Sequence, residues 1–209
     1  MQPTTVREFT SDDKDACRRF NVAVLDDPRC LHLADPGLRL WLDWVELAGE
    51  HNPTVDLLPP VLGPGRFVGV DRDAGCVDRN AARGLPHATW VHGQLQTLLV
   101  NRPALFARTG VLNYDSFAGW NGDSILVETA PLVRFARQQL DRVGEFVLIV
   151  NAAMVRNVPR HVAEMRARRV FAPLLVPFGR DLEPTDLFYY RADGDRNDML
   201  NVRVQVGFQ

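Results

Sequence analysis

The chain has 209 residues, 46% of them hydrophobic, and a formal net charge of −2, so it can bury one sizeable core, is short for two, and carries no global field for nucleic acid. Cys17, Cys30 and Cys76 are too few and too scattered for a disulfide framework or a Cys-x-x-Cys metal site. No apolar run approaches the roughly 20 residues that crossing a bilayer needs, and Met1–Glu8 shows no basic-then-apolar leader, so a cytoplasmic location is expected. Lys14 is the only lysine, an arginine bias that a GC-rich coding sequence produces as readily as selection for phosphate-binding forks.

Residues 1–28 read as a polar helical extension, with Ser11–Asp15 as the cap of a short helix over Ala16–Val24 and Asp27-Pro28 as its stop. Cys30–Ala34 is a short strand and Asp35-Pro36-Gly37 a turn. Leu38–Ala48 reads as a helix, because Leu38, Trp41, Leu42 and Val45 recur at a spacing of 3.6. The Pro- and Gly-rich stretch His51–Gly65 forbids a continuing helix and reads as an extended connection.

The most informative unit follows. Arg66–Val70 is an apolar run ending in Asp71, a helix spans Ala74–Arg83, and a second run, Ala88–His92, leads to Gly93-Gln94. That is one βαβ unit of a parallel sheet, and it puts Asp71 at the carboxyl edge of a strand, where open α/β sheets bind ligands. A carboxylate there can accept both hydroxyls of a ribose; the alternative is a helix cap shared with Asp73. Leu95–Phe106 is a helix that Pro103 ends, Gly110–Asp115 a strand, and Ser124 the cap of a helix from Ile125 to Val143 that Pro131 kinks or restarts. Glu145–Asn151 is a fully buried strand. A basic helix from Pro159 to about Arg169 and the apolar stretch Val170–Phe178 lead into Asp186–Ala192 and Met199–Phe208, an antiparallel hairpin around a polar turn.

Val68-Gly69-Val70-Asp71, the helix with Arg79-Asn80-Ala81-Ala82, and Trp90–Gln94 resemble the second and third strands of class I S-adenosylmethionine-dependent methyltransferases. The resemblance implies a single domain over 1–209: a three-layer α/β fold, mostly parallel, with helices on both faces and an antiparallel C-terminal hairpin. It implies S-adenosylmethionine as cofactor and a ribose-binding role for Asp71. It sets Asp35 and Gly37 at the glycine-rich first motif, where a plain turn is the other reading, and Gln94 where the family usually keeps a second acid. Asn113, Tyr114 and Asp115 fall at the fourth strand's edge. There the resemblance makes Asp115 the base or amine positioner, Tyr114 its catalytic neighbour and Asn113 a cofactor contact. Asn151 reads as a crevice or turn residue.

Arg156, Arg160, Arg166, Arg168 and Arg169 form a local basic cluster, either a solvated helical face or a phosphate-contacting rim for nucleic acid. No His-x-x-x-His, Gly-x-Ser-x-Gly or phosphate-loop pattern is present. The expected activity is methyl transfer to a nucleic-acid or small-molecule acceptor. The rival is an inactive methyltransferase-like fold serving as a binding or assembly module.

Overall fold

Apolar residues alternate between two helical layers along each central strand. In strand β1 (Asp43–Leu47), Trp44 packs on one face and Val45 on the other. The same division separates Val147 and Ile149 from Leu148 and Val150 in β5 (Glu145–Met154). A period of 2 with both faces apolar is the pattern of a strand covered on both sides. The computed structural model describes residues 12–27, 42–49, 53–58, 67–154, 158–191 and 198–207.

The other elements, in chain order, are helix α1 (Asp12–Val22), the single turn α2 (Thr54–Leu57), β2 (Phe67–Asp71), α3 (Ala74–Ala81), β3 (Ala88–His92) and α4 (Leu95–Asn101). Then come β4 (Thr109–Asp115), α5 (Ser124–Val143), α6 (Arg160–Leu175), β6 (Leu187–Arg191) and β7 (Asp198–Gly207). The seven strands form one sheet in the order β3-β2-β1-β4-β5-β7-β6. β1 to β5 run parallel, and β7 pairs antiparallel with both β5 and β6. This is the expected architecture, with the C-terminal antiparallel hairpin in place.

The core under β4 and β5 holds α5 and α6, through Leu132, Phe135, Ala163 and Phe171. The opposite face is covered by Val24 and Leu25, just after α1, and by Val55 and Leu58 around α2. Gly69 has a packing role: it pairs with Trp90 across β2 and β3, and a Cβ there would lie 2.3 Å from the indole ring.

Three local expectations are corrected. The helix over Leu38–Ala48 is not found at residues 43–47, which are strand β1; a short apolar run fits period 3.6 or 2, and a slot between two parallel strands selects 2. Residues 28–41, which include Asp35, Gly37 and the expected strand Cys30–Ala34, lie outside the described residues. The connection after β1 contains α2. Asp123 rather than Ser124 holds the N-cap position of α5, and that helix runs unbroken through Pro131, as α6 does through Pro173. Proline deprives the carbonyl four residues earlier of its donor. Val127 and Arg169, the two residues concerned, are exposed, so water can take that place.

Candidate functional site

The carboxyl ends of β1, β2, β3 and β4 open into a cavity of about 670 Å³. Asp71, Gln94, Tyr114 and Asp115 line it, together with Ala48, Gly49, Gln96, Phe117 and Glu128. With Asn151, which also lines it, five residues singled out in the sequence meet at one crevice. Asn113 turns away from it, donating to Glu46 Oε2 at 2.9 Å in a smaller adjoining compartment.

Asp71 is not the helix cap. Asp73 occupies that position and accepts the Gly75 N–H at 2.8 Å, while Asp71 Oδ1 accepts the Asp73 N–H at 2.8 Å. Burial, and then hydrogen bonding to Asp71, pushes the Cys76 thiol up to about 12, so the carboxylate sits beside a neutral S–H. Gly93, with φ of 148°, donates its N–H to the Asp71 carbonyl at 2.7 Å; a Cβ there would also meet Leu98 at 2.9 Å. This turn carries the chain from β3 to Gln94, whose amide accepts from Thr97 Oγ1 at 3.2 Å.

On the other wall, Glu128 of α5 organises the loop after β4. Its Oε1 accepts from the Tyr114 hydroxyl at 2.5 Å and from the Phe117 N–H at 3.0 Å, and its Oε2 accepts from the Ala118 N–H at 2.8 Å. Gln96 completes the chain with a short hydrogen bond to the Tyr114 hydroxyl. Burial, and then the bond to Glu128, pushes the Tyr114 phenol upward, so it stays protonated and acts as a tether. Phe117 is 78% exposed at the rim, where the Arg72 guanidinium sits 5.0 Å from its ring centroid. Glu128 has no sequence motif; only the fold brings it to Tyr114.

Asp115 ends β4 at the junction of the two cavities. The residue is exposed and lines both cavities, and desolvation there pushes its carboxyl upward against the pull of Lys14, Asn151 and Arg18. Asn151 Nδ2 reaches both Asp115 Oδ1 at 2.5 Å and the Tyr190 hydroxyl at 2.7 Å. The amide's Oδ1 is buried and has no partner among the described residues. A buried acceptor left unpaired costs about 1–3 kcal/mol, so the orientation of Asn151 favours holding Asp115 over its own hydrogen-bond balance.

Helix α1 is a wall of the site. Lys14 lines both cavities, and Cys17, Arg18 and Asn21 line the smaller one. Asn21 and Asn201 exchange side-chain hydrogen bonds at 2.8 and 3.3 Å, Phe20 stacks on Phe188 at 5.1 Å, and Arg203 bonds the Phe20 carbonyl. Those contacts lock the helix over β6 and β7. Sequence reading put residues 1–28 in an extension because α1 meets its partners about 180 positions downstream. The loop after β1 is held by α3: Asn80 Nδ2 donates to the Gly49 carbonyl at 3.0 Å, and the Cys76 thiol lies 3.5 Å from the Ala48 carbonyl.

The basic cluster spends much of its charge internally. Arg166 bonds the Trp120 carbonyl at 3.1 Å, Arg168 pairs with Asp181, Arg169 lies 3.9 Å from Asp123, and Arg160 covers the Tyr189 ring at 4.6 Å. Arg156 lies outside the described residues. No helix among the described residues is long and apolar enough to cross a membrane.

A mostly parallel sheet closed by an antiparallel β7, with the crevice at the strand ends, defines a divergent class I methyltransferase-like fold. Among solved structures, the chain is similar to a Streptococcus mutans protein assigned to the S-adenosylmethionine-dependent methyltransferases (TM-score 0.53, 10% identity, 93% of this chain and 50% of that one). It is also similar to WbdD, solved with a kinase inhibitor (TM-score 0.51, 11% identity, 88% and 40%). A third is Aeropyrum pernix fibrillarin, solved with natively bound S-adenosyl-L-methionine (TM-score 0.49, 16% identity, 78% and 66%). The chain thus spans less than two thirds of the length of these three. No family model and no curated protein matches it.

Proposed function

We propose that the protein binds S-adenosylmethionine in the crevice and transfers its methyl group to an acceptor brought to Asp115. The observation that carries this reading is Asp71, a strand-end carboxylate that is not the helix cap and that lines a cavity together with Gln94 and Asp115. The cavity's 670 Å³ lies within the range of roughly 300–1,000 Å³ typical of small-molecule sites, and its wall mixes apolar Val70, Leu95 and Phe117 with those polar groups, which suits a nucleoside. When bound, the cofactor supplies an electrophilic methyl group. The chain's own residues do the rest: Asp71 holds the ribose diol, Gln94 borders the base, and Asp115 orients the acceptor and takes its proton.

A second reading, a binding module without turnover, draws on the loop after β1, which begins Ala48-Gly49 in place of a glycine-rich run. Calorimetric titration with S-adenosylmethionine tests both. Micromolar binding by wild type that Asp71→Ala weakens at least about tenfold, the loss expected for a charge-assisted hydrogen bond worth about 1.5–3 kcal/mol, supports the cofactor assignment. Equal affinities remove Asp71 from it. Transfer of label from the cofactor to any component of a cell extract then separates enzyme from module.

A further inference from the structure

Tyr190 is 8% exposed and lines both cavities. It stands on β6, five strands from Asp71 of β2 in the sheet order, and its hydroxyl reaches across β7 to Asn151 of β5. That hydrogen bond has a fixed direction. An ionised Asp115 only accepts, so the amide group that Asn151 turns toward it at 2.5 Å is the NH2, and the same NH2 donates to the Tyr190 hydroxyl at 2.7 Å. The phenol is therefore the acceptor of that bond, and its own O–H hydrogen has no acceptor among the described residues. Burial pushes the phenol upward, so the hydrogen stays on the oxygen. A buried donor without a partner is uncommon in a folded chain and points to a missing one.

A ligand at this end of the crevice meets two groups side by side, because one amide nitrogen holds both: the Asp115 carboxylate, which accepts, and the Tyr190 O–H, which donates. An alkylamine satisfies the first and leaves the phenol unpaired. An ether satisfies the second and sets a lone pair against the carboxylate. A planar N–H with a lone pair on the neighbouring atom satisfies both. The rest of the wall suits a flat, partly apolar body: Met199 pairs with Ala153 on one side and with Tyr190 on the other, and all three line the cavity. Arg160, Arg166, Arg168 and Arg169 line neither cavity, so no track of phosphate contacts leads to this end.

We propose that Tyr190 donates a hydrogen bond to the methyl acceptor beside Asp115, and that the acceptor is a free small molecule with an N–H next to a lone pair, as in amino-heterocycles, amidines and amides. The proposal rests on the crevice being a methyl-transfer site, and it makes Tyr190 of the C-terminal hairpin a specificity residue.

The experiment titrates three probes by ligand-observed NMR into wild type and Tyr190→Phe, each saturated with S-adenosylhomocysteine. 2-Aminopyrimidine carries both features, aniline only the N–H, and pyrimidine only the lone pair. Circular dichroism confirms that the variant is folded. In wild type, aniline should bind at least about fivefold more weakly than 2-aminopyrimidine, since it leaves the Tyr190 O–H unpaired, and pyrimidine at least about tenfold more weakly, since it loses the bond to the carboxylate. Tyr190→Phe should bring aniline level with 2-aminopyrimidine, keep pyrimidine weakest, and leave the affinity for S-adenosylhomocysteine unchanged. A residue needed only for packing would not move the ratio of two probes of equal size.

The proposal is overturned if wild type binds none of the probes or does not rank them, if the ranking survives Tyr190→Phe, or if that variant weakens S-adenosylhomocysteine instead, which would give the phenol to the cofactor. Free cytidine presents the same edge and should bind as well as a cytidine oligonucleotide; an oligonucleotide tighter by tenfold overturns the small-molecule source. Should S-adenosylhomocysteine not bind to folded protein, the cofactor reading falls. The probe ranking on the unliganded protein then decides the role of Tyr190 by itself.

Discussion

Replacing Glu128 with glutamine changes one atom and tests the network that shapes the crevice wall. A carboxylate only accepts, and this one accepts from the Tyr114 hydroxyl, the Phe117 N–H and the Ala118 N–H. Glutamine must turn its NH2 toward one of those donors: either the Ala118 amide faces it, or Tyr114 and Phe117 do. Hydrogen bonds to charged groups contribute about 1.5–3 kcal/mol each, and Glu128 is half-buried, so solvent screening reduces that figure while the donor–donor opposition adds to it. The expected loss is about 1–3 kcal/mol, or a fall in Tm of roughly 3–10 °C for a chain of this length. Scanning calorimetry at neutral pH measures it. In a double-mutant cycle, Tyr114→Phe with Glu128→Gln should then show a coupling of about 0.5–3 kcal/mol. An unchanged Tm in Glu128→Gln, or strict additivity with Tyr114→Phe, would refute the claim that this carboxylate holds the loop.

Asp115→Asn should lower turnover by roughly two orders of magnitude or more while leaving cofactor affinity near wild type, as kinetics against calorimetry would show. The same variant should melt higher at neutral pH. The folded carboxyl binds its proton more tightly than the unfolded one, so Asp115 costs stability above its raised pKa, and the variant's advantage shrinks on acidification through that pKa. Gly93→Ala should lower Tm by several degrees, because it combines a positive φ with a Cβ 2.9 Å from Leu98. Gly84→Ala, with φ of 65° and open space around it, should cost less, and equal melting losses would discount the Leu98 contact.

What the sequence disclosed follows the range of the interactions involved. β2, β3, β4 and β5 were legible because each is a self-contained apolar run, and Asp71, Gln94 and Asp115 were legible because a strand's end fixes where its last residue goes. β1 was misread: five residues bracketed by Leu42 and Ala48 satisfy two periods, and only its neighbours β2 and β4 decide between them. Asn151 was legible as a crevice or turn residue, but its partners Asp115 and Tyr190, like those of Glu128 and Lys14, lie on other elements at separations local patterns do not record. Glu128 is the nearest of these, 14 residues from Tyr114, and even there the loop between them reverses the chain.

Asp115 and Asn151 explain why those non-local residues gather here. The β4–β5 register sets Asp115 opposite Asn151, which brings an acid into a crevice whose walls disfavour its charge. The fold then leaves a buried amide oxygen unpaired to keep the Asn151 NH2 on that acid and on Tyr190. Each departure costs stability, and neither contributes to the apolar core, which Val150 and Ala152 complete on either side. A site chosen for packing alone would place an apolar residue at 151. A functional role for residue 115 therefore predicts both outcomes for Asp115→Asn at once, a higher Tm with slower turnover, and a variant that melts higher with turnover unchanged refutes it.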